Sequence, residues 1–434
     1  METSSRLAAA PAGEPLPAPG ELAECARRAQ RDRRWQRLAY WGYALHLFTI
    51  FGIALSNILL GLTLLAAPRA LLARRVRWSG LEPILVPMGF YLVFLFAAIA
   101  LSFEPRTSWT AAGDAFALAT LFLGPGLVRG ERQARRLIDG LIVVAALLAV
   151  KGLSQYLTGY GELERRIRGP FSHYMTFSGV LLICDVLLLT ALAFSRERRQ
   201  LWRWAALLAI NAALVGTLTR GAWVALGLTL AALLFLRSPR SLVWCVPAAM
   251  IVVLMAPARV LHRVVSIFDL RDDSNYDRLC MIDAGLHMVA ERPLVGLGPD
   301  MVDYRYEIYR QPTAPRYWVP HLHNSFLELA AERGLPELAA YLWMMATALL
   351  LAARRYRAEG GLAGPRADFY LGCILALVAF NLAGLFENNW GDAEVKRLAL
   401  FVMMLPFCLE LADGERREQT GDRSEPAGGA TSPA

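Results

Sequence analysis

The stretch "PHLHNSFLELAAERGLPELAAYL", residues 320–342, places two histidines just before a helical pattern. Asn324 and Ser325 are residue types that cap helices, so His323 lies where an irregular segment turns into a helix. A neutral imidazole there can accept a proton from a hydroxyl near pH 7. Two alternatives stay open: a ring that only hydrogen-bonds locally, and a metal pair with His321, for which the neighbouring sequence offers no Cys or carboxylate.

Arg220 lies in "LTRGAWVAL", residues 218–226, in a tight turn between two apolar runs. Its guanidinium and the free N–H groups at the start of the following helix can bind the same anion, which predicts a phosphate site. The alternative is an arginine at a helix end that reaches the lipid headgroups.

Arg278 lies in the first turn of a predicted amphipathic helix, "YDRLCMIDAGLHMVAE". Four residues recur at helical spacing on one face, which we expect to pack on the membrane domain: Leu279, Ile282, Leu286 and Val289. Arg278 is then a second candidate phosphate ligand. The alternative is a surface salt bridge with Asp277 or Asp283.

Two further segments carry groups that suit a phosphorylated sugar. "ELERRIRGPFSH" contributes Arg168 together with Arg165 and Arg166, and arginine clusters bind phosphate through two parallel hydrogen bonds. "FENNWGDAEVKR" combines Trp390 with amides and carboxylates, a combination that can stack on and hydrogen-bond a sugar. For Trp390 an interfacial aromatic anchor is the alternative.

The elements that must position these residues are apolar. Of the 434 residues 56% are hydrophobic and 19% are charged, and the mean hydropathy of +0.38 excludes an ordinary soluble protein. Runs of about 20 apolar residues can each cross a bilayer. The candidate spans are 41–54, 56–73, 82–102, 111–128, 137–157, 174–195, 201–218, 221–237, 241–257, 336–353, 367–386 and 397–412. The first two leave open one tilted helix or a tight hairpin.

These spans predict an all-α polytopic membrane protein of about 12 transmembrane helices, with one large, partly helical loop between helices 9 and 10. The bias of Lys and Arg near the span ends places both termini in the cytoplasm and this loop outside it. The predicted organisation is a basic N-terminal tail (1–38), helices 1–9 (39–257), the periplasmic loop domain (258–335), helices 10–12 (336–412) and a C-terminal tail (413–434).

Two charges fall deep in the membrane, Lys151 in the fifth span and Asp185 in the sixth. Their predicted depths differ by only about 6 Å, so we expect a structural ion pair between adjacent helices. The six cysteines do not form a disulfide pattern, because four fall inside apolar spans. No nucleic-acid module is visible, and the net charge of +8 is explained by loops that contact membrane lipids.

The motifs together resemble the superfamily of O-antigen ligases and O-antigen polymerases. "PHLHNSFLELAAERGLPELAAYL" is similar to its His-Asn signature, "TLTRGAWVAL" to its Ser/Thr-Arg-Gly element, and "YDRLCMIDAGLHMVAERPLVGLGPDMV" to its segment of an Arg, a helix and Pro-x-x-Gly-x-Gly. The order of the elements agrees over about residues 40–410. Pro336-Glu337 departs from the family pattern, which more often has Gly and an aliphatic residue.

The resemblance implies transfer of a glycan from undecaprenyl pyrophosphate to a hydroxyl of lipid A-core oligosaccharide, on the periplasmic face of the Gram-negative inner membrane. It implies that Arg220 and Arg278 hold the pyrophosphate and that His323 orients or deprotonates the hydroxyl, with inversion. It implies no cofactor, since the arginines can neutralise the diphosphate and no Asp-x-Asp pair is present to hold a metal. We list as further contacts to pyrophosphate or glycan Arg168, Asn324, His321 and Trp390.

Three alternatives remain at this stage. An O-antigen polymerase or a protein glycan ligase would use the same lipid-linked donor with a different acceptor. A secondary transporter belongs to another class, and it would gather ionisable residues at the membrane midplane. Here only Lys151 and Asp185 lie deep, which favours the transferase.

Overall fold

The computed structural model describes residues 19–74, 78–158, 166–194, 200–244, 258–267, 269 and 272–420. Within these ranges the chain forms helices and no strand. The helices that matter for the site are α1 (Pro19–Phe48), α2 (Ile53–Arg74), α3 (Glu82–Ala100), α4 (the broken segment Pro105–Leu127), α5 (Glu131–Leu157), α6 (Tyr174–Phe194), α7 (Leu201–Gly216), α8 (Arg220–Arg237), α9 (Ala258–Val265), α10 (Asp273–Glu291), α11 (Met301–Tyr309), α12 (Ser325–Ala358), α13 (Ala367–Gly384) and α14 (Ala393–Thr420).

Eight helices of the described chain are long and apolar enough to cross a membrane. They are α2, α3, α4, α5, α6, α8, α12 and α13. This confirms an all-helical polytopic membrane protein, whereas the sequence predicted about 12 spans. The predicted seventh span is a shorter apolar helix, Leu201–Gly216, and residues 245–257 of the predicted ninth span lie outside the described residues.

The N-terminal basic segment and the first predicted span form one continuous helix, α1. A turn at 49–52 then reverses the chain into α2, where Gly52 N donates to Thr49 O at 2.9 Å. The two helices are joined by buried His46, whose Nδ1 lies 2.8 Å from Ser56 Oγ. The tight hairpin is therefore the correct one of the two readings, because these polar groups satisfy each other across it.

The centre of the bundle is a packed aromatic and charged core. Trp390 is 1% exposed, and its Nε1 donates to Tyr91 Oη at 2.9 Å. Arg333 Nη1 donates to the same hydroxyl at 2.9 Å and lies 2.8 Å from Asp114 Oδ2. Lys396 also pairs with Asp114. Each of these buried cations therefore has an anionic partner, which is what makes burial of charge tolerable.

The predicted ion pair between Lys151 and Asp185 is wrong. Asp185 is fully buried and its Oδ1 accepts from Asn211 Nδ2 at 2.9 Å, whereas Lys151 is exposed. The face of α5 that packs on α6 contains Gly152, where a Cβ would come within 2.7 Å of the Phe177 ring. Lys151 is rotated about 100° from that face. The sequence allowed a prediction of how deep Lys151 lies in the membrane, but not of the direction in which its side chain points.

The helix that carries Arg278 also packs by a different face from the predicted one. Of the four residues predicted to pack, Leu279, Ile282 and Leu286 are exposed by 47%, 38% and 57%, whereas Val289 packs against the small buried cluster. The buried face consists instead of Cys280, Met281, Ala284, Gly285 and Met288. A Cβ on Gly285 would lie 2.7 Å from the Leu322 and Leu327 side chains, so small residues let α10 approach the His-Asn segment closely.

Segment 293–298 docks on an unwound turn of α12. Leu297 N donates to Ala331 O at 2.9 Å, Gly298 N to Glu332 O at 2.8 Å and Leu335 N to Pro293 O at 2.8 Å. Gly334 makes this docking possible because its backbone is left-handed, with φ 84°. Residues that carry a Cβ rarely adopt this conformation. The docking fixes the loop region against residues 331–335 of α12.

We expect Gly334→Ala to destabilise the protein. A Cβ there would lie 2.4 Å from Leu294 O, and the backbone strain alone costs roughly 1–3 kcal/mol. Thermal unfolding in detergent measures the effect. The matched control is Gly227→Ala, because Gly227 is a helix residue with nothing within 4 Å of its Cβ position. A melting temperature as high for Gly334→Ala as for Gly227→Ala would contradict the proposed strain.

Candidate functional site

A cavity of about 1660 Å³ opens where several helices begin. It brings together five of the residues singled out from the sequence, namely Arg166, Arg220, Arg278, His321 and His323. Its other lining residues are Ser172, His173, Tyr174, Met175, Thr176, Leu218, Thr219, Ala258, His262, Arg263, Asp272, Asp273, Ser274, Asp277, Arg316, Pro320, Glu387 and Asp392.

The cavity wall is built from the starts of α6, α8 and α10. The N-cap residues of α8 and α10, Thr219 and Asp272, make no side-chain capping bond. The first-turn N–H groups of these helices therefore have no side-chain cap, and the positive ends of the helix dipoles point to the same space. Such an arrangement favours an anionic ligand.

His323 faces a carboxylate that the chain supplies 64 residues later. Its Nδ1 lies 3.1 Å from Glu387 Oε1 and 3.0 Å from Oε2. A carboxylate accepts, so Nδ1 carries the hydrogen, and in the neutral ring Nε2 keeps its lone pair. Nε2 has no hydrogen-bond partner among the described residues. His323 thus has the arrangement of a general base with an orienting carboxylate.

Glu387 is held ionised at this position. Burial alone would raise the pKa of Glu387, but His323, His321 and Arg278 outweigh burial and lower the pKa to about 2. Asn388 N donates to its Oε1 at 3.1 Å, and Ser325 Oγ donates to its backbone carbonyl at 3.0 Å. The start of α12 and the loop before α14 are therefore locked together around the imidazole.

His321 stacks edge-on against His323, with ring centroids 4.3 Å apart. Burial lowers the pKa of His321 to about 4, so its ring is neutral at physiological pH. Its Nδ1 accepts from His323 N at 3.3 Å, which places the ring hydrogen on Nε2, the atom 3.5 Å from Glu387 Oε1.

The two histidines and Glu387 place three potential metal-ligand atoms within 4.8 Å of one another. The folded chain thus supplies the carboxylate that was missing from the neighbouring sequence. Two observations weigh against a metal. The protonated Nε2 of His321 has no lone pair to give, and the Arg278 charge acts on the same carboxylate. The geometry fits proton transfer better than metal binding.

Arg220 is buried and tied to the segment that precedes α10. Its Nη1 donates to Ser266 O at 3.0 Å and to Ser266 Oγ at 2.8 Å. Both terminal nitrogens lie 3.3 Å from Asp272 Oδ1, and Nη2 donates to Ser274 Oγ at 3.1 Å. The guanidinium therefore already holds an anion in this structure.

Arg278 differs from Arg220. Over the described part of the chain its guanidinium forms neither an ion pair nor a hydrogen bond, although burial and the nearby charge of Arg220 lower its pKa. The alternative of a salt bridge with Asp277 or Asp283 is wrong, because Asp277 pairs with Arg316 at 3.1 Å and Asp283 lies beside His287. Arg278 is a cation available to a ligand.

Three of the remaining candidates do not line the cavity. Arg168 Nη1 donates to Ser172 O at 3.0 Å. Asn324 caps α12 by accepting from Phe326 N and Leu327 N, both at 3.0 Å, as its residue type predicted. Trp390 is enclosed by aromatic rings in the core, so neither a sugar-stacking surface nor an interfacial anchor describes it.

A family model described as O-antigen ligase matches residues 204–342. The matched range contains Arg220, Arg278, His321 and His323 and confirms the resemblance drawn from their motifs. Glu387 lies outside it. A comparison with curated proteins finds no match.

Proposed function

We propose that the protein is a glycosyltransferase that moves a glycan from undecaprenyl pyrophosphate to a hydroxyl of lipid A-core oligosaccharide, as an O-antigen ligase. The observation that carries the proposal is the convergence on one cavity of an imidazole–carboxylate pair and of Arg278, whose guanidinium has no partner among the described residues. The family match over residues 204–342 supports the substrate class. The site would face the periplasm at the inner membrane of a Gram-negative cell, with both termini cytoplasmic.

In this proposal the acceptor hydroxyl attacks the anomeric carbon of the glycan as the bond to the diphosphate oxygen breaks. His323 Nε2 takes the hydroxyl proton, and Glu387 stabilises the imidazolium that results. Arg278, Arg220 and the helix starts stabilise the charge that develops on the leaving undecaprenyl diphosphate. Attack opposite the leaving group inverts the anomeric centre.

Glycan transfer by purified protein in detergent tests the proposal. We expect transfer to purified lipid A-core with release of undecaprenyl diphosphate. Because detergent abolishes any gradient, activity there excludes obligatory transport. Transfer to a second lipid-linked glycan in place of lipid A-core would identify a polymerase, and transfer to a Ser or Thr hydroxyl a protein glycan ligase. No transfer to any of these acceptors would refute the function.

We expect chelation to leave transfer unchanged. The tautomer of His321 and the nearby arginine charge disfavour a cation at the two histidines and Glu387. The measurement compares initial rates before and after EDTA treatment and dialysis. A loss of rate that Zn²⁺ or Mg²⁺ restores would contradict this expectation and make these three residues the candidate ligands of the required metal.

A further inference from the structure

Two aromatic side chains stand exposed at the rim of the cavity. Arg316 and Pro320 both line the cavity, and between them Tyr317 and Trp318 are 67% and 59% exposed. The next residue, Val319, is fully buried in the small core formed with α10 and α11. The backbone of the segment is therefore anchored while the two rings face outward.

Both rings are held in place although they are exposed. The Arg310 guanidinium carbon lies 3.7 Å from the centroid of the Tyr317 ring. The Trp318 indole N–H donates to Asp303 Oδ1. A binding surface whose rings are already fixed loses little conformational entropy when a ligand stacks on it.

The surroundings of the rings are polar. Arg316 is 56% exposed beside them, and Asp303 and Arg310 make the contacts that fix them. Tyr and Trp at a membrane interface also combine apolar rings with polar neighbours, but these two rings lie between Arg316 and Pro320, which line the polar cavity. That position indicates a ligand of the cavity that combines apolar faces with hydroxyl groups, as a pyranose ring does.

We propose that Tyr317 and Trp318 form a stacking surface for the pyranose rings of a glycan that enters or leaves the cavity. The proposal rests on the proposed function, which makes a glycan the substrate. The glycan is either the chain on the lipid-linked donor or the core oligosaccharide of the acceptor. Both glycans present pyranose rings, and the KM values for donor and acceptor distinguish between them.

The test is the double variant Tyr317→Ala/Trp318→Ala in the detergent transfer assay. We expect KM for one substrate to rise about tenfold or more while kcat is retained, because remote binding is lost without loss of chemistry. A change in donor KM assigns the surface to the donor glycan, and a change in acceptor KM assigns it to the acceptor. Tyr317→Phe/Trp318→Phe should restore KM, because both rings remain.

Trp109→Ala is the matched control, since Trp109 is 63% exposed and lies outside the cavity. Unchanged KM values in the double alanine variant would overturn the proposal. The same conclusion follows if the double variant changes only its thermal stability on transfer from detergent to phospholipid vesicles, which would indicate a lipid contact.

A binding measurement separates this inference from the proposed function. Saturation-transfer NMR with lipid-free polysaccharide, released by mild acid from the host surface, reports stacking without turnover. Polysaccharide binding to the wild type but not to the double alanine variant supports the surface even if no transfer occurs. Equal binding to both, alongside normal transfer by the wild type, rejects the surface and leaves the transferase standing.

Discussion

Replacing His323 with asparagine will reduce glycan transfer by about 10²–10⁴-fold, the usual contribution of a general base. Asparagine is the informative substitute because His323 has a left-handed backbone, φ 52, which asparagine tolerates better than alanine does. The variant should keep its melting temperature and its affinity for the lipid-linked donor. The measurements are the transfer rate, the thermal melt and donor binding on one preparation.

Glu387→Gln provides the companion variant. It preserves the size of the side chain but removes the charge that stabilises the imidazolium, so we expect a smaller loss of transfer and an altered pH–rate profile. Wild-type transfer by His323→Asn would remove the imidazole from the mechanism. A loss of folding in either variant would point to a structural role for the pair instead.

The second large effect is expected at Arg278. Arg278→Ala should lower transfer by about 10²–10³-fold, comparable to the loss of a preorganised donor to developing negative charge. Donor affinity should fall as well, because the guanidinium has no other partner among the described residues. Isothermal titration with undecaprenyl pyrophosphate in detergent, paired with the transfer assay, measures both losses.

Arg305→Ala controls for the removal of a positive charge elsewhere in the loop region. Arg305 lies over the Phe103 ring and does not line the cavity. Equal losses in the two variants would mean that overall charge, not placement, accounts for the effect. Arg278→Lys should recover only part of the activity, because lysine cannot present the planar pair of donors.

The local signals in the sequence were sufficient for residues whose position depends on a helix start. Arg220 and His323 both stand at such starts. A tight turn between apolar runs predicted the first, and the capping types Asn324 and Ser325 predicted the second. The long apolar runs likewise predicted most of the helices that the structure contains. These features depend on residues within a few positions of one another.

Features that depend on side-chain direction or on distant contacts were not predictable in the same way. Glu387 lies 64 residues from its partner His323, and the sequence indicated it only as one of three carboxylates in "FENNWGDAEVKR". Lys151 was predicted at the depth of Asp185, but its side chain is exposed whereas Asp185 is buried. The face of α10 that packs is chosen by small residues such as Gly285 rather than by the larger apolar ones.

The contact of Arg220 with Asp272 implies that donor recognition at this arginine is an exchange of anions. A diphosphate that engages the guanidinium must take the place of a carboxylate already 3.3 Å away, so its net gain is the difference between two attractions. The displaced carboxylate lies at the first residue before α10, the helix that carries Arg278. Donor binding at Arg220 would therefore also affect Arg278, because only the short segment from Asp272 to Arg278 separates the displaced carboxylate from the second arginine.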